Sequence, residues 1–86
     1  MTEREILAGL ETIARERLEV ERTLTMQSRL VEELRLDSLR LLTLAVEVEN
    51  RFRVRLDPED EGAIETVGDL VRVVERKLAA EAEAVR

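Results

Sequence analysis

The stretch ELRLDSLRLLTLAVEVENRF, residues 33–52, decides how the rest of the chain is read. Its apolar side chains recur at helical spacing from Leu39 to Phe52, and the polar pair Asp37, Ser38 stands immediately before them. This pattern predicts a helix over Ser38 to Phe52. At about 100° per residue, Leu41, Leu44, Ala45, Val48 and Phe52 gather in one narrow stripe, the face expected to enter a core. Leu39, Leu42 and Val46 form a second stripe, displaced by roughly 130° and flanked by Thr43, Glu49, Asn50 and Arg53. Two readings of that stripe stay open: a helix buried on two sides at the centre of its fold, or an apolar strip exposed beside Ser38 for a partner. Asp37 and Ser38 are both suited to cap the helix start. A serine hydroxyl there also lies where unpaired backbone N–H groups and the helix dipole favour negative charge, so a phosphate ester on Ser38 would be stabilised.

Outward from this segment the chain remains helical in pattern. Thr2 and Glu5 form a capping box ahead of Ile6, Leu7, Leu10, Ile13 and Ala14, which predicts a helix from about Glu3 to Arg17. From Leu18 to Leu36 the apolar residues Leu18, Val20, Leu24, Leu30, Val31 and Leu34 follow no sustained period. The reading is a long loop pinned across the bundle, with a helical turn near Ser28 to Leu34, although periodicity alone also allows a helix. Unstructured loops above about 12–15 residues are uncommon in compact domains and are usually functional. Beyond Leu56, Asp57 suits an N-cap and Pro58 the first position of a short helix. The acids Asp57, Glu59, Asp60 and Glu61 lack the alternating spacing of a calcium loop. Ile64 reads as a core plug, and Thr66 with Asp69 caps a last helix carrying Val67, Leu70, Val71, Val74 and Leu78. The predicted fold is all-α: a small bundle of three longer helices and one short one, a single domain over residues 1–86. Its core covers about 3–78, and 79–86 either extends the last helix or frays.

Composition narrows the function. With 44% hydrophobic and 40% charged residues, the chain holds enough apolar material for one small core and too much for disorder. It contains neither Cys nor His, which removes thiol nucleophiles, His-dependent triads and the usual zinc ligand sets. No catalytic residue and no metal site is expected. The formal net charge of −6 argues against nucleic acid as a partner and favours a basic or cationic one. No apolar run approaches the ~20 residues of a membrane span, and the N-terminus lacks a signal-peptide pattern, so a cytoplasmic protein without membrane contact is expected; a monomer is the favoured state. Against the acidic whole, residues 40–55 hold four arginines and two glutamates.

Helix, long loop, helix, short helix, helix, with Leu36, Asp37, Ser38, Leu39 at the entry to the second long helix, resembles the acyl carrier protein family. The resemblance covers the chain from Ile6 to about Leu78, with Phe52, Ile64, Thr66 and Val67 in register. It implies that Ser38 is esterified with 4′-phosphopantetheine, taken from coenzyme A by a phosphopantetheinyl transferase, with Asp37 and Leu39 flanking the attachment site. It implies a non-catalytic carrier that holds acyl intermediates as thioesters and presents them to acyl-transferring, condensing and modifying enzymes of fatty acid, polyketide or other secondary pathways. The thiol then belongs to the prosthetic group, in keeping with a chain without Cys. Leu39, Arg40, Leu42, Thr43, Val46 and Glu49 become the candidate docking residues. Leu30, Val31, Leu41, Leu44, Ile64 and Leu70 become candidate lining for an acyl chain, against the alternative of a closed core.

Two departures from the family pattern stand out. The position before Leu36, often Gly in such carriers, is Arg35, which implies either a different final turn or a charge beside the phosphate. The second long helix, strongly acidic in many members, is diluted here by Arg40, Thr43, Asn50 and Arg51. This suggests a specialised carrier. Peptidyl or aminoacyl carriers share the fold and stand as the alternative, as does an unmodified helical module that binds a partner helix through Leu39, Leu42 and Val46.

Overall fold

A computed structural model describes residues 1–84. Four helices follow one another: α1 (Glu3–Arg17), α2 (Ser38–Phe52), α3 (Pro58–Ala63) and α4 (Val67–Ala84). Of the two readings of the tail, extension holds through Ala84, and Val85 and Arg86 lie outside the described residues.

Local chemistry sets each boundary. At α1, the Glu5 amide donates to Thr2 Oγ1 at 3.2 Å and the Thr2 amide donates to Glu5 Oε1 at 2.9 Å, closing the capping box. Acids in its first turn and arginines in its last complement the helix dipole. α1 buries Ile6, Gly9, Leu10, Ile13 and Ala14 and packs against both α2 and α4. Gly9 lets α1 and α2 approach closely: a Cβ at that position would stand 2.7 Å from Phe52 Cζ and displace the ring. From α2 the core receives Leu44, Val48 and Phe52, with Leu41 packed against it; from α4 it receives Val67, Leu70, Val71 and Val74.

The segment between α1 and α2 is a loop, as its missing period predicts, and its apolar residues hold it down: Leu18, Leu24, Leu30, Leu34 and Leu36 are all buried. The expected turn is present, with the Glu33 and Leu34 amides both donating to Arg29 O at 3.1 Å. The loop is also fastened to the start of α4. The Leu30 amide donates to Glu65 O at 3.0 Å, the Val67 amide to Ser28 O at 2.9 Å and the Gly68 amide to Met26 O at 2.8 Å, an isolated antiparallel bridge centred on Arg29 and Thr66. This short ladder satisfies two of the amides that a helix start leaves without an intrahelical acceptor. α3 is bound to α4 by charge: Asp60 meets Arg76 at 2.7 Å and Lys77 at 2.9 Å, and Lys77 also reaches Asp57 at 3.0 Å.

Three charged residues, Glu19, Arg35 and Arg53, adopt positive φ (57°, 59° and 59°), while no glycine does. Glu19 follows α1, Arg53 caps α2 and Arg35 ends the turn that leads to Ser38. Each reverses the chain in the left-handed region that side chains disfavour.

Candidate functional site

Ser38 is the first residue of α2 and is exposed. Asp37 caps the helix, its Oδ1 accepting from the Arg40 amide at 2.9 Å, so of the two candidate caps the aspartate takes the role and the serine hydroxyl is left for other chemistry. Among the described residues, the amides of Ser38 and Leu39 donate to no protein acceptor. Two free N–H groups and the positive end of a fifteen-residue helix therefore surround the hydroxyl, an arrangement that favours an anion.

Beside Ser38 opens a cleft of about 440 Å³ between α2, the loop turn, and the segment from Leu56 to Leu70. All six residues proposed from the sequence as lining (Leu30, Val31, Leu41, Leu44, Ile64 and Leu70) face it, together with Leu42, Ala45 and Leu56. The cleft opens at the surface above a core in which Leu30, Leu44 and Leu70 are themselves buried. Its volume lies within the range of small-molecule sites, about 300–1,000 Å³, and its wall is mainly apolar. Glu32, Glu61 and Glu65 complete the lining. Arg29 pairs with Glu32 and, at 3.4 Å, with Glu65, and the Arg29 hydrogen bond holds the Glu32 carboxyl below its usual range.

The two stripes of α2 separate cleanly. Val48 is 0% exposed, whereas Leu39, Leu42 and Val46 are 72%, 59% and 43% exposed, so the second stripe is surface. Its polar neighbours are less available than a helical wheel implies. Glu47 faces Arg17 of α1 at 3.6 Å, and Glu49 Oε2 accepts from the Leu56 amide at 2.8 Å, tying down the chain that leaves α2. The Thr43 hydroxyl donates to Leu39 O at 3.0 Å, within its own helix. Arg40 and Arg53 are exposed and, among the described residues, unpaired. Arg35 adopts the left-handed backbone that glycine favours, in the turn that leads to Ser38. Sequence reasoning missed the inward use of Glu47 and Glu49, because their partners lie on other segments. It also missed Leu56, whose place in the cleft wall depends on the path taken after α2.

Known proteins share this sequence pattern and fold. A family described as "Phosphopantetheine attachment site" matches residues 5–74. Over 75 residues the chain is 37% identical to the acyl carrier protein of Thermotoga maritima, covering 86% of this chain and 93% of that protein. It is 34% identical over 76 residues to the meromycolate extension acyl carrier protein of Mycolicibacterium smegmatis, covering 87% of this chain and 77% of that one. A crystal structure of an acyl carrier protein from Thermotoga maritima superposes with a TM-score of 0.82 at 26% identity, covering 91% of this chain and 92% of the other. The chain belongs to the acyl carrier protein family, whose members are non-catalytic carriers with covalently attached 4′-phosphopantetheine. Among the described residues no helix is long and apolar enough to cross a membrane.

Proposed function

We propose that this chain carries growing acyl chains on 4′-phosphopantetheine attached through Ser38 Oγ, in fatty acid or polyketide assembly. The observation that carries the reading is the exposed Ser38 hydroxyl on the first turn of α2, beside unpartnered amides and at an apolar cleft. In the modification, Ser38 Oγ forms a bond to the phosphorus nearer pantetheine in coenzyme A. The phosphoanhydride bond breaks, adenosine 3′,5′-bisphosphate leaves, and the serine proton passes to the transferase. The free amides at the start of α2 would stabilise the charge of the new phosphodiester. When bound, the group supplies a thiol on a flexible arm, and tethering raises the local concentration of the acyl cargo at each docked enzyme. Leu30, Val31, Leu41, Leu44, Ile64 and Leu70 offer that cargo a partial shelter from water. Leu39, Arg40, Leu42, Thr43, Val46 and Glu49 form the docking side, with Leu39, Leu42 and Val46 as the apolar contact and Glu49 contributing through its hold on Leu56.

Relatives named as acyl carrier proteins support acyl over aminoacyl cargo. The test is an intact mass measurement after incubation with coenzyme A and a broad-specificity phosphopantetheinyl transferase. Wild type gains one phosphopantetheine, and Ser38→Ala gains none. A gain on Ser38→Ala, or on any of Thr2, Thr12, Thr23, Thr25, Ser28, Thr43 and Thr66 by peptide mapping, overturns the assignment.

A further inference from the structure

The strip formed by Leu39, Leu42 and Val46 lies in an unusual electrostatic setting. Glu47 and Glu49, the only acids between Ser38 and Phe52, are directed to Arg17 and to the Leu56 amide. Arg40 on one flank of the strip and Arg53 at its C-terminal end have no ion-pair partner among the described residues. At 1.5 Å per residue, these two positions stand about 20 Å apart along the helix. Arg40 also occupies the first turn of α2, where a cation opposes the helix dipole, so local helix stability does not account for it. The surroundings have the opposite sign: outside residues 40–55 the chain holds ten basic and eighteen acidic side chains. An approaching acidic surface is therefore repelled by most of the molecule and admitted at this face, which orients the encounter as well as attracting it.

We propose that the surface docking on α2 is acidic: an enzyme face that presents an apolar depression to Leu39, Leu42 and Val46 and carboxylates to Arg40 and Arg53. This rests on the carrier reading above and specifies the chemistry of its partner. The guanidinium groups present planar donors well matched to carboxylates, and the apolar contact between them excludes water from the pairs.

The two readings are tested separately. Loading of Ser38, followed by intact mass, tests the carrier, and failure to load overturns both. For docking, Ser38 is loaded to completion with a pantetheine analogue whose electrophile traps the active-site cysteine of a condensing enzyme. Two probes are compared: a condensing enzyme whose carrier-docking face bears Lys and Arg, and the same enzyme with those residues replaced by Glu. At low salt, wild type is trapped roughly tenfold faster by the Glu-bearing form, the scale of modest electrostatic steering. The ratio approaches one at 1 M salt, where the Debye length is about 3 Å. The variant R40E/R53E reverses the preference, and R40Q/R53Q, which introduces no new charge, abolishes it. Equal or faster trapping of wild type by the basic form overturns the proposal, as does a ratio that neither double variant changes.

Discussion

The starts of α2 and α4 use the same capping chemistry and meet opposite surroundings. At α4 the first three amides are all occupied: Val67 and Gly68 donate to loop carbonyls, and Asp69 donates to Thr66 Oγ1 at 3.1 Å. Asp69 Oδ2 in turn accepts from the Glu65 and Thr66 amides at 3.0 and 3.1 Å. At α2 only the Arg40 amide is capped, and Ser38 is exposed. One end is closed by the chain's own backbone and holds the long loop in place. The other leaves its positive pole open, with the Ser38 and Leu39 amides unpartnered among the described residues. The closed end thus builds the wall of the cleft beside which the open end lies, since Leu30 and Val31 are positioned by the bridge to Glu65.

The sharpest way to break this contrast is to remove each hydroxyl. Ser38→Ala is expected to abolish modification completely while leaving the denaturation midpoint near that of wild type. Thr66→Ala is expected to do the reverse, costing about 0.5–2 kcal/mol, the usual worth of a cap, with modification intact. Urea unfolding and intact mass on both variants check the pair, and a large destabilisation by Ser38→Ala would show that the open end also does structural work.

Gly68→Ala probes the closed end directly. Its Cβ would lie 2.8 Å from Met26 O, a backbone atom that already accepts the Gly68 amide. The loop must retreat, at a cost of about 1–3 kcal/mol typical of overpacking. Acid offers a milder probe of the same region. Hydrogen bonds from the Glu65 and Thr66 amides hold the Asp69 carboxyl below its ordinary range, and Lys77, followed by the Asp57 amide, does the same for Asp60. Groups with lowered folded pKa values contribute their stability above the ordinary aspartate value, near 4, and lose it as pH falls through the folded value. The denaturation midpoint should therefore fall below pH 4, and Asp69→Asn should flatten that limb; an unchanged acid limb would assign it to other carboxylates.

The helix limits and the place of Ser38 at the start of α2 were legible because their signals are local. Thr2 with Glu5, and Asp37 ahead of an apolar period, set the bounds of α1 and α2 within a few residues of sequence, and the structure places both helices where that reading put them. The bridge from Arg29 to Thr66 was not legible, since it joins backbone atoms 37 residues apart and leaves no side-chain pattern. The same holds for Glu49, whose acceptor role depends on how the chain turns at Arg53. Arg35 is instructive in another way. Glycine is absent from this turn, yet Arg35 takes a left-handed backbone between the buried Leu34 and Leu36. A non-glycine residue there costs about 1–2 kcal/mol, and glycine forfeits about 0.5–1 kcal/mol in chain entropy. Arg35→Gly should thus raise stability by about 0.5–1 kcal/mol, and a loss instead would reveal packing by the arginine stem.

The smallest expected effect is at Val46, where the contrast between open and closed surfaces continues along a single helix. Val46 and Val48 are two residues apart, yet one is 43% exposed and the other 0%. Val48→Asp places a carboxylate in the buried hydrophobic core and should cost several kcal/mol, enough to threaten folding. Val46→Asp places the same charge on the surface, where substitutions away from special features usually fall within about 0.5 kcal/mol. Thermal unfolding followed by circular dichroism separates the two. If Val46→Asp melts with wild type but its trapping by an acidic condensing enzyme is slowed, the exposed strip owes its apolar character to docking and not to the core. If it melts far below wild type, Val46 is held by the fold, and the partner surface must lie elsewhere on α2.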